Sequence, residues 1–159
     1  MTQQIDIKKD RLRYTKNSAS ATQAYVAIIF NVLYFVSIYN KDVGNFYYDK
    51  TIGFSVIANL LFLLSAFLCS EGIKNYKMGY AIAFIPLGVF QIIRVFGIPV
   101  DAFNAIVTTQ GVTVRVMEHK QLIYTSICLL CSAAACFAAA IGGITKTKTL
   151  REYEKSLYK

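Results

Sequence analysis

The sequence has few of the groups from which catalytic and metal sites are built. Its one histidine is His119, which excludes a zinc site made mainly of His, or bis-His haem ligation, within one chain. There is no tryptophan, and only two prolines occur. Neither G-x-x-x-x-G-K-[ST] nor G-x-G-x-x-G is present, so nothing argues for phosphate cradling. No N-x-[ST] acceptor occurs either, because Asn17 is followed by Ser18 and then Ala19. Charged residues make up 16% of the chain, against roughly 25% in a soluble domain.

What replaces charge is apolar mass. Hydrophobic residues are 55% of the 159, and they are gathered into long runs. A helix crossing the hydrocarbon core needs about 20 predominantly apolar residues. Four runs qualify: about 21–39, 51–70, 78–100 and 121–144, the third interrupted only by Arg94. Backbone groups in lipid must bond within their own segment, so helices are predicted and not strands. The expected fold is therefore all-α, an integral membrane bundle of four transmembrane helices spanning 21–144. It is flanked by a basic N-terminal tail (1–20) and a basic amphipathic C-terminal tail (145–159).

The surplus of seventeen Lys+Arg over nine Asp+Glu is distributed unevenly. Lys8, Lys9, Arg11, Arg13 and Lys16 precede the first span, and Lys146, Lys148, Arg151, Lys155 and Lys159 follow the fourth. Lys74 and Lys77 lie between the second and third spans. The other two loops hold only Lys41, Lys50, Arg115 and Lys120. By the positive-inside rule both termini are expected in the cytoplasm of a multi-pass cell-membrane protein. Because this charge flanks apolar segments, the expected partner of the tails is a bilayer with anionic headgroups and not nucleic acid. The first run is too long for a signal-peptide core and has no A-x-A site, so it is read as a retained anchor. Tyr25, Tyr76 and Tyr80 are expected at the inner interface, with Tyr39, Tyr47, Tyr48 and Tyr124 at the outer one.

Of the outer loops, Asn40–Lys50 is short. Asp101–Lys120 carries Ile106, Val107, Val112, Val114 and Val116 around Gln110-Gly111. β-branched residues about a central glycine predict a small hairpin between spans three and four. Pro86 inside the third span predicts a kink. Leu150, Tyr153 and Leu157 form an apolar row in the C-terminal tail, expected as a short amphipathic helix.

Arg94 is the Asp/Glu/Lys/Arg/His-type residue inside a span, and such groups mark functional sites by default. It can snorkel to headgroups, pair with a partner subunit or an outer-loop Asp (Asp42, Asp49, Asp101), or contact an anion or a quinone. Tyr34, Ser55, Thr125 and Ser126 are expected at similar depth. Asn31, Asn59 and Gln91 lie near mid-membrane, and Thr51, Ser55 and Asn59 recur as one stripe. Interhelical polar contacts are expected at Asn31, Ser55, Asn59 and Gln91.

The fourth span carries rows of small residues. Cys131, Ala135, Ala139 and Gly143 form one; Cys128, Ser132, Cys136 and Ala140 form another; Ala134, Ala138 and Gly142 make a third. Such rows let backbones approach closely, either within the bundle or against another subunit. Cys128-x-x-Cys131 has the spacing of a thiol–disulfide couple, but small buried hydrophobes are the ordinary role of such cysteines. No catalytic residue, metal ligand set or cofactor is assigned. The expected function is a non-catalytic accessory or structural subunit, working beside other membrane subunits, with a transport complex as the first expectation. A small homo-oligomeric transporter or channel is the alternative, and a quinone-linked membrane thiol oxidoreductase the second.

Overall fold

The computed structural model describes residues 16–39, 50–109 and 112–157. The chain is an all-α, four-helix membrane-spanning bundle with a β-hairpin inserted before its last helix. Helices α1 (Ser18–Tyr39), α2 (Lys50–Lys74) and α3 (Met78–Val95) are followed by a short α4 (Ile98–Asn104). Strands β1 (Ile106–Thr109) and β2 (Val112–Arg115) come next, then α5 (His119–Leu157). The spanning helices form a ring in the order α1, α2, α3, α5, with α5 packed extensively on α1 and α3, and α2–α3 the thinnest seam. Leu60, Leu61, Leu64 and Leu68 on α2 face outward, as a lipid-facing surface requires.

The core is built in two apolar layers. One gathers Ala24, Ala27, Phe62, Ala66, Ile73, Ala81, Phe84, Cys136, Ala139 and Ala140. The other gathers Tyr34, Ile38, Ala102, Val116, Met117, Cys128 and Leu129. The small-residue rows of α5 are consumed here. Ser132, Cys136, Ala139, Ala140 and Gly143 are buried, while Cys131 and Ala135 are half-buried. A Cβ on Gly143 would lie 2.9 Å from that of Ala81, and one on Gly142 would lie 2.8 Å from the Ser20 hydroxyl. The Cys131–Gly143 row thus serves packing within the chain. Because Ala139 and Gly143 are covered by the chain's own helices, they cannot present a face to another subunit. Ala139→Leu is expected to lower stability by about 1–3 kcal/mol, as overpacking does, while Ala134→Leu, on the exposed side of the same helix, should change little. Unfolding in mixed micelles reads the difference.

At two places the helix ends do not coincide with the ends of the apolar runs. Within the third candidate span, Met78–Asn104, the helix is broken after Val95, because Gly97 and Pro99 interrupt it. Phe96 and Gly97 donate back to the Ile93 and Arg94 carbonyls at 3.1 and 3.2 Å, and Pro99 opens α4. Pro86, by contrast, sits inside α3 without ending it. The fourth helix does not stop near Ile144. It continues without a break to Leu157, 39 residues in all, or about 58 Å at 1.5 Å per residue. The tail expected as a short amphipathic helix is therefore a continuous extension of the same helix.

The hairpin is antiparallel, with Ile106 opposite Arg115 and Val107 opposite Val114; its Gln110-Gly111 tip lies outside the described residues. Val116 and Met117 enter the second core layer, so the hairpin covers that end of the bundle. At the opposite end α2 turns into α3 through Tyr76, at φ 56°. The Lys77 amide bonds the Gly72 carbonyl at 3.0 Å and the Tyr76 amide bonds that of Ile73 at 3.0 Å. This is a Schellman closure, with tyrosine at the left-handed position usually given to glycine. The start of α1 is fixed to the same end by Asn17 N–H donating to the Lys74 carbonyl at 3.0 Å, and by Tyr25 Oη donating to Glu71 at 3.0 Å.

Candidate functional site: a polar layer around Arg94

Between the two apolar layers lies one polar stratum to which every spanning helix contributes. Asn31 comes from α1, Asn59 from α2, Gln91 and Arg94 from α3, and Ser132 from α5. Gln91 and Arg94 share a face because they are three residues apart on a helix. Helical side chains lean toward the N-terminus of their own helix. That carries the Arg94 guanidinium back toward Gln91 and the bundle centre, away from the nearer helix end. The snorkelling expected as one possibility for Arg94 is not what the geometry displays.

The guanidinium is held by carboxamide oxygens. Arg94 Nη1 donates to Asn31 Oδ1 at 2.8 Å and Gln91 Oε1 at 3.0 Å, and Nη2 donates to Asn59 Oδ1 at 2.9 Å. The amides also bond one another. Asn31 Nδ2 donates to Asn59 Oδ1 at 3.0 Å, and Gln91 Nε2 donates to Asn31 Oδ1 at 2.9 Å and Ser132 Oγ at 3.0 Å. Ser132 Oγ donates a hydrogen bond to the Ala27 carbonyl at 2.9 Å, tying the layer to the α1 backbone. Asn31, Asn59, Gln91 and Ser132 are buried. Among the layer's amides, Asn59 Nδ2 is buried without an acceptor among the described residues.

Aromatic faces complete the surroundings. The Arg94 Cζ lies 4.6 Å from the Tyr34 ring centroid and 5.5 Å from that of Phe90, within the range of cation–π attraction. No ion pair to Arg94 occurs among the described residues. Asp101 is exposed on α4, while Asp42 and Asp49 lie outside the described residues.

Beside the guanidinium is a half-open cavity of about 180 Å³. It is lined by Tyr34, Phe54, Ser55, Ala58, Phe90, Arg94, Gly97 and Ile98. It sits at the α2–α3 seam where α3 breaks, and Phe54 at its edge is 77% exposed.

Of the residues singled out from sequence, Arg94, Asn31, Asn59 and Gln91 come together directly. Ser55 joins them as part of the cavity wall and not as a hydrogen-bond partner; the Thr51 side chain lies outside the described residues. Thr125 bonds its own helix, at the Gln121 and Leu122 carbonyls, 2.9 and 3.0 Å away. Two contributors were not read as site residues, Tyr34 and Ser132. Tyr34 had the right depth, and Ser132 stood in a small-residue row whose one hydroxyl was the available signal. Cys128 and Cys131 are free thiols, the first buried and the second half-buried. Among the described residues no group of three or more His, Cys, Asp or Glu gathers to hold a metal.

Fold and site together define a multi-pass membrane helical bundle with a buried cationic layer. The chain matches no protein-family model, no curated protein and no solved structure.

Proposed function

We propose that the protein is a non-catalytic accessory or structural subunit of a larger membrane assembly, a transport complex in the first instance. The observation that carries this reading is the interhelical hydrogen bonding of the polar layer. Asn31, Gln91 and Ser132 spend their hydrogen-bonding capacity on one another and on Arg94. A permeation path needs polar groups that can exchange partners with a passing solute, and these are committed to holding helices together. The geometry therefore favours a fixed scaffold over the alternative of a small transporter or channel.

The uninterrupted extension of α5 supports a partner on the side of the tails. Leu150 and Tyr153 are half-buried between exposed Lys and Arg, as on an arm built for docking. Crosslinking in mild detergent followed by mass spectrometry tests the reading. Several distinct co-purifying membrane subunits are expected, and their recovery should fall when residues 146–159 are removed. A single species crosslinked only to itself would instead establish a homo-oligomer.

We also assign the end of the bundle that carries Asn17, Lys74 and Lys77 to the cytoplasm, on the strength of the Lys/Arg asymmetry. Single cysteines introduced at Lys8 and Lys155, in a background without the native ones, should be labelled from inside. Those at Asn45 and Gln110 should be labelled from outside. Labelling of the two tails from opposite sides would refute the threading.

A further inference from the structure

We propose that the Arg94 cavity binds the oxyanion head, a carboxylate or phosphate, of a membrane amphiphile that enters sideways from the bilayer between α2 and α3. This goes beyond the scaffold role and does not depend on it.

The argument begins with the unfilled capacity of the guanidinium. Arginine has five N–H donors. Three hydrogen bonds engage both Nη1 hydrogens and one of Nη2. The other acceptor beside the guanidinium among the described residues is the Tyr34 hydroxyl, so at least one N–H is not engaged by the described side chains. Among the described residues the acceptors are neutral groups, which satisfy hydrogen bonds but bring no negative charge to the guanidinium. An anion in the adjoining space would meet both needs at once, since a planar guanidinium recognises carboxylate or phosphate through parallel N–H bonds.

The cavity specifies the rest of the ligand. Arg94, Ser55 and Tyr34 are the lining residues that carry polar atoms, and they contribute little of the surface. Phe54, Ala58, Phe90 and Ile98 make the remaining wall apolar. A charged end and an apolar sleeve describe one molecule with an acidic head and a hydrocarbon chain. At about 180 Å³ the space exceeds the engineered cavity of about 150 Å³ that accepts benzene. It therefore admits a head with its first methylenes while the chain continues outward past Phe54. The location agrees, because the opening lies at the seam where α2 and α3 pack least and beside the break at Gly97.

The test uses the full-length protein in detergent and native mass spectrometry of bound lipid. The probes are oleate, methyl oleate, phosphatidylglycerol and phosphatidylcholine. Oleate or phosphatidylglycerol should be retained about tenfold better than the uncharged or zwitterionic counterpart, the factor expected for a hydrogen bond to a charged group. Preference for oleate identifies a carboxylate head, and preference for phosphatidylglycerol a phosphate; either supports the site. Ala58→Leu and Ser55→Leu, which fill the cavity without touching the polar layer's hydrogen bonds, should abolish the preference. Equal retention of oleate and methyl oleate, together with equal retention of the two phospholipids, would overturn the proposal without recourse to any variant. So would an anion preference that survives both cavity-filling substitutions.

Discussion

Asn31→Leu is expected to lower the unfolding free energy by about 3 kcal/mol, and adding Arg94→Leu to the same chain is expected to return part of that loss. Asn31 accepts from Arg94 and from Gln91 and donates to Asn59. Neutral interhelical hydrogen bonds in membranes average about 0.6 kcal/mol, while one to a charged group is worth about 1.5–3 kcal/mol. The single substitution removes all three contacts and leaves the buried guanidinium with one acceptor fewer, holding only Gln91 Oε1 and Asn59 Oδ1. The paired substitution removes the charge along with its acceptor, and replacing both partners by apolar groups is often close to neutral. Reversible unfolding of the four corners of the cycle in mixed micelles measures the coupling. If the paired variant were less stable than Asn31→Leu by the full cost of Arg94→Leu alone, the two residues would be independent and the polar layer would not be a unit.

Gly72→Ala should be nearly as damaging, at the upper end of the roughly 1–3 kcal/mol that overpacking costs. A Cβ at this position would fall on the Tyr80 ring and within 2.6 Å of the Tyr80 Cβ. The ring can rotate away, but the Tyr80 Cβ is fixed to the α3 backbone, so α2 and α3 would have to separate. Tyr80→Gly in the same chain clears the obstruction and should recover stability, despite the roughly 1 kcal/mol that glycine costs inside a helix. Gly79→Ala is the control: a Cβ there meets nothing within 4 Å, and the change should be neutral or slightly stabilising. Thermal aggregation midpoints in detergent rank the variants. Equal midpoints for Gly72→Ala and Gly79→Ala would show that the two helices are not in close contact at this point.

What could be read in the sequence was depth, and what could not was rotation. Apolar run length located the four spans, and β-branched residues around Gln110-Gly111 located the hairpin. The depths of Asn31, Asn59, Gln91 and Arg94 followed by counting residues. Whether they faced one another did not, because helix phase is fixed by the packing of small residues such as Ala27, Ala81 and Ala139. The spacing of Gln91 and Arg94 did place them on one face, and that clue pointed inward. The end of α3 was also written, in Gly97 followed by Pro99. The end of α5 was not. Gly142-Gly143 resembles a terminus, but the close approach to Ser20 and Ala81 gives those glycines a packing role, and the helix continues.

The make-up of the polar layer also bears on the order of biosynthesis. Asn31, Asn59, Gln91 and Arg94 all belong to the first three spans, while α5 supplies only Ser132. As the chain emerges, the charged side chain and each of its amide acceptors therefore leave the ribosome ahead of the last helix. Arg94 need not wait unsolvated for the ring to close. The late arrival brings mainly apolar surface and one hydroxyl, which bonds Gln91 and the Ala27 carbonyl. In this order the costly group finds its partners early, and the final step of assembly is the docking of a smooth, small-residue helix.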